Sequence, residues 1–193
     1  ALLGAKAAPA GESGFESTYE SELGTLHITR TGGFSAVMTG GSRVQSSEKA
    51  AEKLLRAMDF QYQTLTREQT ETGAVQIRTS QTLLGVPVLG SQLALTYTDD
   101  CLTAVEGTFY TGGSSITRVS EQEAISAADA LAQLLARRDA LGWVGSAVTG
   151  LTQAYLPSDQ AGTGIRFMPV WLVETDAGSF FINGITREIT AET

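Results

Sequence analysis

The chain has 193 residues, 42% of them apolar and 18% charged, and a formal charge of −8 from 13 basic and 21 acidic side chains. That length supports one large domain or two small ones, and the apolar fraction supports a packed core rather than disorder. The acidic balance repels phosphate backbones and anionic lipid headgroups, so nucleic acid is excluded as an expected partner.

Residues 1–14 are small, Gly/Ala-rich and aperiodic, and read as a flexible tether or as the edge left by a removed signal or anchor. From Phe15 to Met38, extended segments are broken by Gly24 and by Thr31-Gly32-Gly33, with Leu26 and Ile28 alternating before and Phe34, Ala36 and Met38 after. This is a β-hairpin pattern. Ser46-Ser47 then offers an N-cap, and Ala50, Ala51, Leu54, Leu55 and Met58 predict an amphipathic helix over about Ser47 to Asp59. Strand-like stretches follow around Val75 and Ile77, from Leu84 through Val88 to Leu93, Leu95 and Tyr97, and from Leu102 to Tyr110 beyond an Asp99-Asp100 turn. Pro87 makes its own stretch an edge or a bulge.

The pattern then recurs. Ser120-Glu121-Gln122-Glu123 reads as a capping box, with Ile125, Ala128, Leu131, Ala132 and Leu135 as the apolar stripe of a second helix and Gly142 after its end. Strands are predicted over about Val148 to Leu156, Phe167 to Glu174 and Ser179 to Ile189, with Asp176-Ala177-Gly178 as a hairpin turn. An offset of roughly 77 positions lays Leu93 on Val170, Leu95 on Leu172, Thr98-Asp99 on Thr175-Asp176, Val105 on Ile182 and Gly107 on Gly184, which suggests a duplication. The expected architecture is therefore α+β, with two similar units, each a helix packed on a short antiparallel sheet. A tether covers 1–14, the first unit with its leading hairpin covers 15–115, and the second covers 116–193.

Little in the sequence points to catalysis. Asp99 and Asp100 suit a tight turn, and Glu121 and Glu123 suit the positive end of a helix. The only histidine, His27, lies in a hairpin strand with no GxSxG, HExxH or P-loop motif, and reads as a strand histidine. Thr39-Gly40-Gly41 and Gly112-Gly113-Ser114-Ser115 fit no phosphate-binding pattern and read as flexible connections. The single cysteine, Cys101, excludes an intrachain disulfide, and the acids before it work against a nucleophilic role. No catalytic residue, metal ligand or cofactor is expected. The apolar run Phe167-Met168-Pro169-Val170-Trp171-Leu172-Val173 lacks alternation, so both faces of that strand should be covered, by the other half of the chain or by a partner protein. Trp171 is the leading candidate partner contact, with Phe181 on the neighbouring strand and Pro87 at a sheet edge.

The stretch Pro169-Val170-Trp171-Leu172-Val173-Glu174-Thr175-Asp176-Ala177-Gly178-Ser179-Phe180-Phe181-Ile182-Asn183-Gly184-Ile185-Thr186 resembles the carboxy-terminal segment of YycI-type regulatory proteins. Leu84-Gly85-Val86-Pro87-Val88-Leu89-Gly90-Ser91-Gln92-Leu93 is similar to a strand of those proteins and of PepSY-like and metalloprotease-propeptide modules. Ile125-Ser126-Ala127-Ala128-Asp129-Ala130-Leu131 resembles their helix. Asn183-Gly184 and Arg187 stand where that family usually has Asn-Ala and a closing Gly. The resemblance implies tandem PepSY/cystatin-like units and a non-enzymatic regulator on the outer face of a Gram-positive-type membrane. Such a protein would be held there by an N-terminal anchor and would bind a sensor histidine kinase or its accessory protein, with a homo- or hetero-dimer as a further expectation. The alternative expectation is a propeptide-like module that binds or inhibits a secreted peptidase. A small enzyme or ligand-binding cone on a cystatin-like sheet is a third class and requires a concave polar pocket.

Overall fold

The computed structural model describes residues 2–4, 6–42, 46–110, 116–160 and 164–192. The Gly112-Gly113-Ser114-Ser115 connection lies outside the described residues. Two compact units are present: Ala1–Gly85 with Gly90–Ile116, and Val86–Leu89 with Thr117–Thr193.

The first unit joins two antiparallel meanders through a helix. Strands β1 (Ala8–Glu12), β2 (Glu16–Ser21), β3 (Gly24–Thr29) and β4 (Gly33–Ser42) form one, and β5 (Tyr62–Gln69), β6 (Val75–Leu83), β7 (Val86–Thr98) and β8 (Cys101–Thr108) form the other, with β8 beside β4. Helix α1 (Glu48–Ala57) connects them. Its Ser47 cap accepts from the Ala50 amide, which satisfies one of the free donors of the first turn. Ala51 and Leu55 are buried against Ile77, Leu93, Leu95, Tyr97, Leu102 and Val105, so the helix covers one face of β6, β7 and β8. Both two-residue turns of the second meander, Leu84-Gly85 and Asp99-Asp100, have positive φ at both positions, the geometry that matches strand twist. The Ser46 hydroxyl donates to Asp100, tying the start of α1 to the second turn.

In the second unit, β9 (Val148–Gln160), β10 (Gly164–Thr175), β11 (Gly178–Asn183) and β12 (Ile189–Ala191) form an antiparallel meander. The Val86–Leu89 end of β7 lies parallel to β9, with Val88 opposite Tyr155. Helix α2 (Ala127–Ala136) buries Ala130 and Leu134 against Trp143, Val173, Phe180 and Ile182.

The α+β expectation of two similar helix-on-short-sheet units is overturned. The protein is mostly strand, with 54% strand against 11% helix. The physical reason is that several strands are held by backbone pairing with few buried side chains, so apolar alternation underestimates the sheet. All five residues of β1 are exposed, in a stretch expected to be a tether, and Leu3 just before it is buried. Strand β5 buries nothing fully and, among the described residues, pairs only with β6. Thr39-Gly40-Gly41, expected as a flexible connection, continues β4 with a bulge between Val37 and Ser42.

The second helix also differs from expectation. Ser126, not Ser120, is its N-cap, accepting from the Asp129 amide at 3.1 Å, while the Ser120 hydroxyl makes a local turn to the Gln122 amide. The inward stripe is Ala127, Ala130, Leu131 and Leu134, and Leu135 is 58% exposed. In a segment this rich in Ala and Leu, several helical stripes are apolar, and the cap position decides which faces inward. Gly142 (φ +64) falls in the turns after α2 rather than directly at its end.

Candidate interaction surface

The β10–β11 hairpin pairs Trp171 with Ile182, Leu172 with Phe181, and Val173 with Phe180. Because successive strand residues face opposite sides, Trp171, Val173, Phe180 and Ile182 lie on the side covered by α2. Leu172 and Phe181 lie on the other. The Trp171 indole N–H donates to the Ile125 carbonyl at 2.9 Å, and the Ile125 amide donates to the Gly184 carbonyl at 2.8 Å. Trp171 is thus half-buried and engaged with the segment leading into α2. Phe181 is half-buried beside Leu172, and the buried Val170 and Ala154 form a cross-strand pair on the same outer face. Pro87 sits half-buried in the short β7 segment that pairs with β9. Its ring nitrogen cannot donate to a ladder, and among the described residues the one Cα pair between these strands is at Val88. The three candidate contacts therefore do not share one face: Trp171 looks toward α2, Phe181 away from it, and Pro87 belongs to a different strand.

The loop from α2 to β9 is held by charge. Arg138 donates to the carbonyls of Trp143 at 3.2 Å and Gly145 at 2.6 Å, and its guanidinium lies 5.1 Å from the Trp143 ring centre. The Asp176 carboxylate accepts from the Ser146 amide at 2.9 and 3.0 Å and from the Ser146 hydroxyl at 2.8 Å. These bonds, the Ser146 amide first, hold its carboxyl below the usual range.

In the first unit, His27 Nδ1 lies 3.0 Å from the Thr18 hydroxyl and 3.3 Å from Glu16 Oε1, with Ser35 directly across the β3–β4 ladder. Glu16, His27 and Ser35 line an open hollow of about 480 Å³ that also includes Thr29, Gly33 and Phe34. Sequence reading placed His27 on a strand without this company. The contact set depends on the β2–β3 register, which no local motif announces. A buried polar group was missed for the same reason. Ser91 Oγ lies 2.8 Å from Gln81 Oε1 and 3.0 Å from the Thr108 carbonyl, while the Gln81 amide donates to the Tyr110 carbonyl at 2.7 Å. With one hydroxyl proton, Ser91 serves one of its two acceptors at a time, and the set fastens the end of β8 to β6 and β7. Among the described residues no three His, Cys, Asp or Glu side chains gather as metal ligands, and no helix is long and apolar enough to cross a membrane.

No protein family model matches the chain, and no curated protein matches it. Among solved structures, an uncharacterized protein from Eubacterium rectale ATCC 33656 aligns with 100% of this chain and 79% of its own, with a TM-score of 0.60 at 9% identity. The C-terminal domain of Bacillus megaterium YpeB aligns with 100% of this chain and 93% of its own, with a TM-score of 0.45 at 12% identity. The first likeness is one of fold alone, and the second lies below the level at which a shared fold can be argued. Neither neighbour is clearly a YycI-type protein, so that resemblance stands on its own residues.

Proposed function

We propose that this protein is a non-enzymatic, extracytoplasmic regulator that binds a membrane sensor complex of the histidine-kinase type. In this reading it docks through the outer face of the β10–β11 hairpin around Phe181 and Leu172, and Trp171 supports that hairpin from the other side. The observation that carries the reading is the placement of the YycI-like segment. That stretch folds as one hairpin, with Phe181 and Leu172 paired and half-buried on the side away from α2. Half-buried aromatic and aliphatic pairs on a rigid strand pair are the kind of surface that anchors a protein interface.

The test is cross-linked capture of the full chain from its own cells, with partners identified by mass spectrometry, for the wild type and for Phe181→Asp. The expected result is enrichment of a sensor kinase or its accessory protein that Phe181→Asp abolishes while tryptophan emission stays native. Enrichment of a secreted peptidase, or kinase capture that Phe181→Asp leaves intact, would overturn the reading.

A further inference from the structure

The chain contains one asparagine, Asn183, and it is followed by glycine. An Asn-Gly pair is the sequence most open to intramolecular deamidation, because glycine leaves the following amide unhindered. In that reaction the backbone nitrogen of residue 184, once deprotonated, attacks Cγ of Asn183. The new N–Cγ bond forms as the Cγ–Nδ2 bond breaks, and ammonia leaves. Water then opens the resulting succinimide at either carbonyl, giving aspartate or isoaspartate, so the sum is asparagine plus water to acid plus ammonia.

The fold restrains every group this reaction needs. Asn183 Oδ1 accepts from the Ile185 amide at 2.8 Å and the Thr186 amide at 3.0 Å, which fixes the carboxamide in a turn. The attacking nitrogen, that of Gly184, is itself committed as a donor to the Pro169 carbonyl at 2.8 Å, and Gly184 is buried. The backbone of Asn183 is held as well, with its amide donating to Glu188 and its carbonyl accepting from Arg187, both at 2.9 Å. Reaction requires that the nitrogen leave Pro169 and the carboxamide swing toward it, so the turn between β11 and β12 must open first.

We propose that Asn183-Gly184 is a fold-gated modification site: closed in the native protein, and converted to aspartate or isoaspartate whenever the β11–β12 end opens. The two products differ in consequence. Aspartate keeps an oxygen that can accept from Ile185 and Thr186. Isoaspartate inserts a methylene into the main chain at the point where β11 pairs with the return to β12, and breaks that pairing.

The test incubates the full chain at mildly alkaline pH, once in native buffer and once in concentrated urea, and follows the Asn183 peptide by mass spectrometry with separation of the two products. With no other asparagine in the chain, the conversion is assigned without ambiguity. Opening must precede reaction, so conversion in native buffer is expected to be at least about tenfold slower than in urea. Ile189→Ala, which loosens the Ile182–Ile189 pair, is expected to speed native conversion while tryptophan emission stays folded. Equal rates in native buffer and in urea would overturn the proposal. A native rate unmoved by a folded Ile189→Ala protein would overturn the β11–β12 end as the gate.

Discussion

The β7–β8 and β10–β11 hairpins share their register over the two pairs nearest the turn and part company at the third. Thr98 pairs with Cys101 and Thr175 with Gly178, and these pairs coincide under the offset that aligns the two halves of the chain. Beyond the turn, β8 carries a bulge, because Tyr97 pairs with Leu102 while Thr96 pairs with Ala104, leaving Thr103 extra. The bulge lets Leu102 and Val105, three positions apart, both face α1. The β10–β11 hairpin has a regular register, so its core residues on β11, Phe180 and Ile182, are two apart. The added residue thus resets which side of β8 faces inward beyond Thr103, whereas β7 and β10 present opposite faces from the turn onward. Leu95 lies in the α1 core, whereas its counterpart Leu172 faces away from α2.

The sharpest way to break this comparison is at the aligned glycines. Gly107 has φ +143 and lies between β4 and β7, and a Cβ there would run into the Gln92 carbonyl. Gly184 has no such conformation, and its Cβ would stand 3.0 Å from the Pro169 carbonyl and 3.1 Å from the Ala124 Cβ. Gly107→Ala is expected to cost more than about 3 kcal/mol, from forbidden backbone plus steric conflict, and Gly184→Ala about 1–2 kcal/mol. Both tryptophans, Trp143 and Trp171, belong to the second unit, so emission follows that unit and far-UV circular dichroism follows the whole chain during urea titration. Equal losses for the two variants would show that the glycines are equivalent and the bulge argument wrong.

A second pair sharpens the inversion of faces. Leu95 is fully buried and Leu172 half-buried. Leu95→Ala is expected to cost about 2–5 kcal/mol and Leu172→Ala under about 1 kcal/mol, read as shifts in urea midpoint. Comparable costs would place Leu172 in a core and remove it from the docking face.

These contrasts explain what could be read in the sequence. The first helix was legible because Ser47 is followed by a single unambiguous apolar stripe. The turns Asp99-Asp100 and Asp176-Ala177-Gly178 were legible because turn chemistry is local. The inward face of β8 beyond its turn was not, because it depends on the bulge at Thr103, and no residue near Thr103 marks it. Strands β1 and β5 were not, because Ala8–Glu12 is held by backbone bonds with every side chain exposed, and Tyr62–Gln69 sets only Tyr62 and Leu65, three apart, against the core. The candidate surface was half legible. The apolar run around Trp171 announced a strand covered on both sides, but only the register shows that Trp171 and Phe181 point in opposite directions.

Tyr97 tests the first core more finely. Its side chain is buried in the α1 core, its hydroxyl has no hydrogen-bond partner among the described residues, and burial pushes its phenol up to about 12. Removing an unsatisfied buried hydroxyl takes away a desolvation cost, so Tyr97→Phe is expected to be neutral or stabilising by up to about 1 kcal/mol. The unfolded phenol ionises near ~10 while the folded one keeps its proton, so wild-type stability should fall as pH rises from there toward about 12. Denaturation midpoints against alkaline pH, with the variant as reference, isolate this slope. An identical slope in Tyr97→Phe would mean that the group titrates as if exposed.

The smallest expected effect lies at the second turn and has the opposite sign. Asp176 is exposed, yet its carboxylate takes the amide and hydroxyl of Ser146 and so joins the turn of β10–β11 to the loop entering β9. Because its folded carboxyl titrates below the ordinary value, the stability it adds is complete above the unfolded titration near ~4 and fades as pH falls through the lower, folded one. Solvent screens an exposed group, so the acid-limb difference between wild type and Asp176→Ala should be small but measurable in low salt, and reduced by added salt. It should appear in tryptophan emission, because Trp143 lies in the loop that Ser146 anchors. A difference that persists unchanged in high salt would mean that Asp176 acts through turn geometry alone, and Asp176→Asn, which can still accept through its amide oxygen, should then match the wild type.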